Sequence, residues 1–256
     1  MKKNVLRQII VVLALVATIA INGLANALPL NNLTTGEISD QFQVYFVPAG
    51  YVFSIWGLIY LALATYAVYQ ALPAQRENPR LSSIIEPFAL SCVANVAWLF
   101  LWHYQMFPLT LVAMLALLLL LIVIYLRLGI GRTLVSTAEK WLVHIPFSIY
   151  LGWITVATIA NVTTVLDSLG WDGWGAPQVW AVVMLIVGAI IASAMGLTRG
   201  DVAYMLVVVW AFVGIAVEHA TTSLVSVAAW LMAALVAVMA VVGPLFHKNR
   251  ITTQSQ

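Results

Sequence analysis

Eight apolar runs, each about as long as a bilayer is thick, constrain this 256-residue chain more than any other feature. About 20 apolar residues wound as a helix cross the ~30 Å hydrocarbon layer. Lipid cannot hydrogen-bond a bare amide, so a crossing segment is a helix or part of a closed barrel. These runs are continuous and rich in Leu, Val and Ala, without the alternation of a barrel strand. The fold class is therefore all-α, a polytopic membrane helix bundle. The predicted spans are 5–28, 50–72, 82–104, 108–127, 139–166, 178–197, 202–218 and 221–246. Pro, Gly, Asn and charge punctuate them, as in Pro73 to Arg80, Gly129 to Arg132, Gly170 to Pro177 and Thr198 to Asp201. Only 8% of residues are charged and 63% are hydrophobic, whereas a soluble domain carries about 25% charge.

The basic residues test this count, because cytoplasmic loops collect Lys and Arg. Lys2, Lys3 and Arg7 precede or open the first span. Arg76 and Arg80 lie between the second and third, and Arg127, Arg132 and Lys140 between the fourth and fifth. Arg199 lies between the sixth and seventh, and Lys248 and Arg250 follow the eighth. With eight spans all 11 basic residues fall on one side, opposite loops bearing Glu37, Asp40, Asp167, Asp172 and Glu218. The expected topology is a multi-pass membrane protein with both ends in the cytoplasm, the membrane being the plasma or inner membrane if the source is prokaryotic. Lys2, Lys3, the run Ile9 to Ile21 and the triplet Ala25-Asn26-Ala27 also read as a cleavable signal peptide.

Several classes are excluded. A net charge of +2, scattered along the chain, is no nucleic-acid surface. One cysteine, Cys92, cannot form an intrachain disulfide. The sequon Asn32-Leu33-Thr34 carries meaning only in a glycosylating host. No His/Cys/Asp/Glu cluster has metal-ligand spacing, and no cofactor is required by any motif.

The informative residues are polar and aromatic groups away from the interfaces. The second span carries Phe53, Trp56 and Tyr60, spaced to share one helical face. The third carries Asn95, Trp98 and Trp102, and the fifth Trp153, Ala157 and Asn161. At ~1.5 Å per residue, Trp56 lies ~9 Å and Tyr60 ~15 Å below the outer end of the second span. Two readings stand. In one, aromatics form the interfacial belt and the Asn side chains join helices by hydrogen bonds. That suits Trp102, Trp171, Trp174 and Tyr45 near helix ends, with His103, Glu218 and His219 solvated outside. In the other, the deeper Trp56, Tyr60, Trp98 and Trp153 wall a pocket for a flat, apolar ligand with a few polar anchors.

These residues resemble motifs of the tryptophan-rich sensory protein / translocator protein family (TspO/MBR, the peripheral benzodiazepine receptor family). The second span reads Pro48-Ala-Gly-Tyr-Val-Phe53-Ser-Ile-Trp56-Gly57-Leu-Ile-Tyr60, and the third Asn95-Val-Ala-Trp98. The fifth reads Tyr150-Leu-Gly-Trp153-Ile-Thr-Val-Ala157-Thr-Ile-Ala-Asn161. The match departs where a second Pro before the second span is missing and where Ile149 and Ala160 replace a family Pro and Leu. It covers roughly residues 1–166, and the family is a five-helix protein of about two-thirds this length. The resemblance therefore implies a five-helix bundle over 1–166, followed by three additional helices and a short tail over 167–256.

The resemblance implies a receptor or transporter for a hydrophobic planar ligand, a porphyrin or haem-like tetrapyrrole, and a tendency to homodimerise. Its ligand-binding positions would be Pro48, Phe53, Trp56, Tyr60, Asn95, Trp98, Tyr150, Trp153, Ala157 and Asn161, under a lid from Asn31 to Val47. The expected partners are membrane lipids and that ligand. Three rivals remain open: an enzyme acting on a bound porphyrin, an ion-coupled transporter using Glu86 or His144, and a membrane scaffold. Small residues at Gly188, Ala192 and Gly196, and at Ala229, Ala233 and Ala237, predict close packing of the last helices.

Overall fold

The computed structural model describes the backbone of residues 2–28 and 30–254 and the side chains of 5–25, 27–28 and 30–247. The side chains of Lys2, Lys3, Asn26, Lys248 and Arg250, which enter the topology and signal-peptide readings, lie outside the described residues. The described chain is helical with no strand. The elements are α1 (Lys2–Ala27), α2 (Thr35–Ser39), α3 (Ile55–Ala71), α4 (Pro79–His103) and α5 (Phe107–Leu128). They continue with α6 (Thr137–Glu139), α7 (Ile145–Ser168), α8 (Pro177–Arg199), α9 (Val202–Glu218) and α10 (Ser223–Gln254). A 3-10 turn, Gly50–Ser54, leads into α3, and a π-turn, Lys140–His144, joins α6 to α7. Seven helical segments are long and apolar enough to cross a membrane. The eighth expected span, α9, has 17 residues, at the short end of the ~17–25 range for a crossing helix.

The helix ends follow local chemistry. Asn78 caps α4, its side-chain oxygen accepting from the amides of Arg80 and Leu81, and Pro79 takes the first turn. Gly129 and Gly200 stop α5 and α8 in the left-handed conformation, at φ 65° and 61°, where glycine has no Cβ to clash. On α5, Leu109, Val112, Leu119, Ile122 and Leu126 are exposed along one face, whereas Met114, Leu117, Leu121 and Ile124 are buried. An apolar face turned outward is what a helix in lipid presents.

Prolines inside helices leave carbonyls unpaired, and the chain repairs them. Pro87 lies within α4 and has no N–H to offer the carbonyl of Ser83. The Arg127 guanidinium, at the end of α5, donates to that oxygen at 2.6 Å. Pro146 follows directly on the π-turn. A π-turn widens the helix before a proline ring that would otherwise meet the preceding turn.

The chain divides into two compact units. The first comprises Met1–Phe42, Trp56–Gly129 and Thr133–Phe147, and the second Gln43–Ile55, Ile130–Arg132 and Ser148–Gln256. In the first, α4 packs on α1 and α5. Tyr66, Phe88 and Phe147 form its aromatic core, with centroids 4.9–5.9 Å apart and edge-to-face contacts. Gln8 and Gln70 lock α1 to α3 reciprocally, each amide donating to the other's backbone carbonyl. Arg80 and Glu139 form a two-pronged ion pair at 2.8 and 2.9 Å, tying α4 to α6.

In the second unit α10 packs on α8 and α9. The small-residue stripes lie at these contacts. Gly188, Ala192, Gly196, Ala229 and Ala233 are buried. A Cβ on Gly243 would stand 2.9 Å from the backbone of Gly196, so the two helices touch backbone to backbone there. Replacing Gly243 by Leu should cost roughly 1–3 kcal/mol through overpacking, read as a lower melting temperature in detergent. The proline repair makes a sharper prediction. Arg127→Met should cost about 1 kcal/mol, and most of that cost should vanish in a Pro87→Ala background, where a backbone amide can serve Ser83. Thermal unfolding of the two single variants and the double variant reads this non-additivity.

Candidate functional site

In the first unit, Trp56 and Tyr60 stand one turn apart on α3 and stack, with centroids 5.5 Å apart and planes 27° from parallel. On α4, Trp98 stacks on Trp102 at 5.3 Å and 21°. Trp56, Tyr60 and Trp98 are half-buried, and the Tyr60 hydroxyl is buried without a hydrogen-bond partner among the described residues. Asn95 is fully buried and its side-chain oxygen accepts from the Asn22 amide at 2.8 Å. Asn22 holds its own place by donating to the Thr18 carbonyl at 2.9 Å. This amide pair across α1 and α4 is helix-joining chemistry, and Asn22 carried no sequence signal beyond its polarity.

Trp102 and His103 differ from expectation. Trp102 is 5% exposed rather than part of an interfacial belt, and its indole N–H donates to the Thr35 carbonyl at 3.1 Å. His103 is fully buried rather than solvated, its Nδ1 2.8 Å from the Leu99 carbonyl, while Asn31 donates to its backbone oxygen. The cause is the segment after α1. Ile38 is buried on α2, and Phe42 packs edge-on against Phe107 at 4.8 Å and near Trp102. That segment covers the end of α4. Glu37 serves α2 itself. Its carboxylate accepts from the Thr34 amide and hydroxyl at 2.7 and 2.8 Å. The bond from the Thr34 backbone, with that from its hydroxyl, holds Glu37 below the usual carboxylate range.

In the second unit Phe53 meets Trp153 edge to face at 5.8 Å and 87°. Trp153 and Asn161 are buried on α7, with half-buried Ala157 between them on the same face. Tyr150 is also buried. The segment bearing Pro48 and Phe53 hangs on α9. Trp210 donates from its indole to the Val52 carbonyl at 3.1 Å, and the Ala49 amide donates to Gly214 at 3.2 Å. Gly214 faces Pro48 and Val52 so closely that a Cβ would collide with the Val52 side chain. Polar bonds fix α9 to α7. Ser148 donates to the buried Asp201 carboxylate at 2.7 Å, and Tyr204 donates to Thr155 at 2.8 Å. Asp201 doubles as the cap of α9 by accepting from the Tyr204 amide. The unit also has an open pocket of about 350 Å³ lined by Tyr45, Asp167, Trp171 and Trp180 among others. None of the ten expected ligand positions lines it.

Among the charged candidates, Glu86 is exposed on α4. The buried acid of that region is Glu139, which sequence reading passed over and which Arg80 neutralises. His144 is buried in the π-turn. Among the described residues no group of three His, Cys, Asp or Glu could hold a metal ion.

Comparison with known proteins agrees with this architecture. A family model described as TSPO-like protein matches residues 8–242 and so runs through α8, α9 and most of α10. No curated protein and no solved structure matches the chain. With the match spanning nearly its whole length, this chain belongs to the TSPO-like family and is a multi-pass helical membrane protein of the receptor or transporter type.

Proposed function

We propose that the protein binds a flat hydrophobic ligand of the tetrapyrrole class, by contact rather than by chemistry. The observation that carries this reading is the pair of near-parallel aromatic stacks in the first unit, Trp56 on Tyr60 and Trp98 on Trp102. Buried aromatic pairs commonly meet edge to face or offset. Trp56, Tyr60 and Trp98 are half-buried members of two nearly parallel pairs in one unit, and their rings offer flat surfaces to a flat partner.

Titration of the purified protein with protoporphyrin IX, followed by the Soret band and by Trp quenching, tests this. Trp56→Ala and Trp98→Ala should each weaken binding about tenfold, equivalent to ~1.4 kcal/mol. Unchanged affinity in a Trp56→Ala/Trp98→Ala protein would remove the site.

We also propose that both chain ends face the cytoplasm, supported by the one-sided basic residues. Alkaline phosphatase fused after Gly170 should be active and after Gly129 inactive. The opposite pattern would invert the topology.

A further inference from the structure

The pocket where α7 meets α8 is lined by side-chain charge of one sign. It is open and holds about 350 Å³, at the small end of the ~300–1,000 Å³ range of small-molecule sites. Its lining belongs wholly to the second unit. Asp167, in the last turn of α7, and Asp172, in the loop that follows, supply two carboxylates, and no Lys, Arg or His lines the space. The half-buried Asp167 carboxylate has no hydrogen-bond or ion-pair partner among the described residues. Asp172 is exposed and accepts from the Gly175 amide at 3.0 Å.

Nothing nearby offsets these charges. The end of α7 carries roughly half a negative charge and the start of α8 roughly half a positive one, so the two helix ends offset each other and the full carboxylates decide. Arg199 stands at the opposite end of α8, ~33 Å along the helix axis. Tyr45 packs on His219 at 5.3 Å. Burial holds that imidazole below its usual pKa despite Glu218 and the Val47 backbone, so it is neutral near pH 7. An anion finds no compensating donor here. The Thr163 hydroxyl serves the carbonyls of its own helix, and the Trp180 N–H is buried. A bare metal ion would leave the space mostly empty, and no group of three His, Cys, Asp or Glu among the described residues could hold one.

The rest of the wall is aromatic. Tyr45, Trp171 and Trp180 are half-buried, so part of each remains accessible. Trp171 and Trp180 meet at 4.7 Å and 83°, which sets two rings at nearly right angles along one space. Aromatic rings attract weakly hydrated cations, and quaternary ammonium groups are recognised in this way.

We propose that this pocket binds a small organic cation, a quaternary ammonium with apolar substituents and no anionic group, taken up as a free solute. The cation would lie beside Asp167 with its alkyl groups against Tyr45, Trp171 and Trp180. Its charge matches the carboxylates, and it has no N–H that the aromatic wall would leave unpaired. None of these residues belongs to the proposed tetrapyrrole set, so either reading can fail without the other.

Calorimetric titration of the full chain in a maltoside detergent, which is uncharged, tests the site with choline as the probe. Saturable binding is expected. The neutral isostere 3,3-dimethylbutan-1-ol and the zwitterion phosphocholine should each bind at least tenfold more weakly than choline. Asp167→Asn should weaken choline about tenfold through loss of one close charge, with an unchanged melting temperature as the check on folding. Glu218→Gln removes an exposed acid that does not line the pocket, and it should leave choline affinity as it was. Choline should bind equally in phosphatidylcholine nanodiscs and in detergent. The proposal is overturned by any of four results. These are no saturable choline binding, an isostere or zwitterion as tight as choline, equal losses in Asp167→Asn and Glu218→Gln, and loss of choline binding in the phosphatidylcholine discs, which would make the occupant a lipid headgroup.

Discussion

The need to pair every backbone carbonyl and amide inside a layer that offers no water governs the rest of this structure. It explains why the spans are helices, and it also explains the exceptions. A proline in a soluble helix frees a carbonyl that solvent can serve. In α4 the freed Ser83 carbonyl is served by Arg127, a residue whose other expected task is to mark a cytoplasmic loop. Before Pro146 the helix widens into a π-turn. The same demand places the side chains of Ser and Thr. Thr18, Thr158, Thr163 and Thr164 each return a hydrogen bond to a carbonyl three or four residues back, and so carry no unpaired hydroxyl into the apolar layer.

Several polar side chains that point away from their own helix join another. Asn22 to Asn95, Gln8 with Gln70, Ser148 to Asp201 and Tyr204 to Thr155 are all bonds between elements far apart in sequence. In lipid such bonds contribute about 0.6–2 kcal/mol each, and apolar contact between helices gains little from leaving a solvent that is itself apolar. The polar pairs and the close glycine contacts therefore carry much of the specificity that a buried hydrophobic core carries in a soluble protein. Gly243 against Gly196 and Gly214 against Pro48 and Val52 are of this kind.

This division decides what was legible from the sequence. Span limits and helix stops depend on local composition and on Pro and Gly; among the described residues seven of the eight expected spans are long and apolar enough to cross, α9 is short, and α10 runs on to Gln254, past the expected limit at 246. The packing role of Gly188, Ala192 and Gly196 was legible for the same reason, because their four-residue period is local. The partners of Asn95, Glu139 and Asp201 were not legible, because no local pattern names Asn22, Arg80 or Ser148 as the other half of the bond. Trp102 and His103 were misread as end-of-helix residues facing water. They are at the end of α4, but the chain from Asn31 to Phe42 folds over them, and a single sequence does not say where a loop lies. The ten expected ligand positions come from a motif rather than from contacts. The structure gives six of them, Phe53, Trp56, Tyr60, Asn95, Trp98 and Trp153, specific ring or amide environments.

The aromatic residues bring these points together. A Trp near a helix end has three fates that composition cannot separate: anchoring in the headgroup layer, packing under a loop, or walling a cavity. What separates them is the indole N–H. A belt Trp gives its N–H to water or a headgroup. Trp102 gives its N–H to Thr35 and Trp210 to Val52, so both are structural struts. Trp180 keeps its N–H buried beside a cavity with no acceptor among the described residues. An unmade bond of this kind leaves a buried donor at a cost of about 1–3 kcal/mol. By that criterion Trp180 belongs to neither the belt nor the struts, and it shares its unpaired state with the Tyr60 and Tyr66 hydroxyls among the described residues.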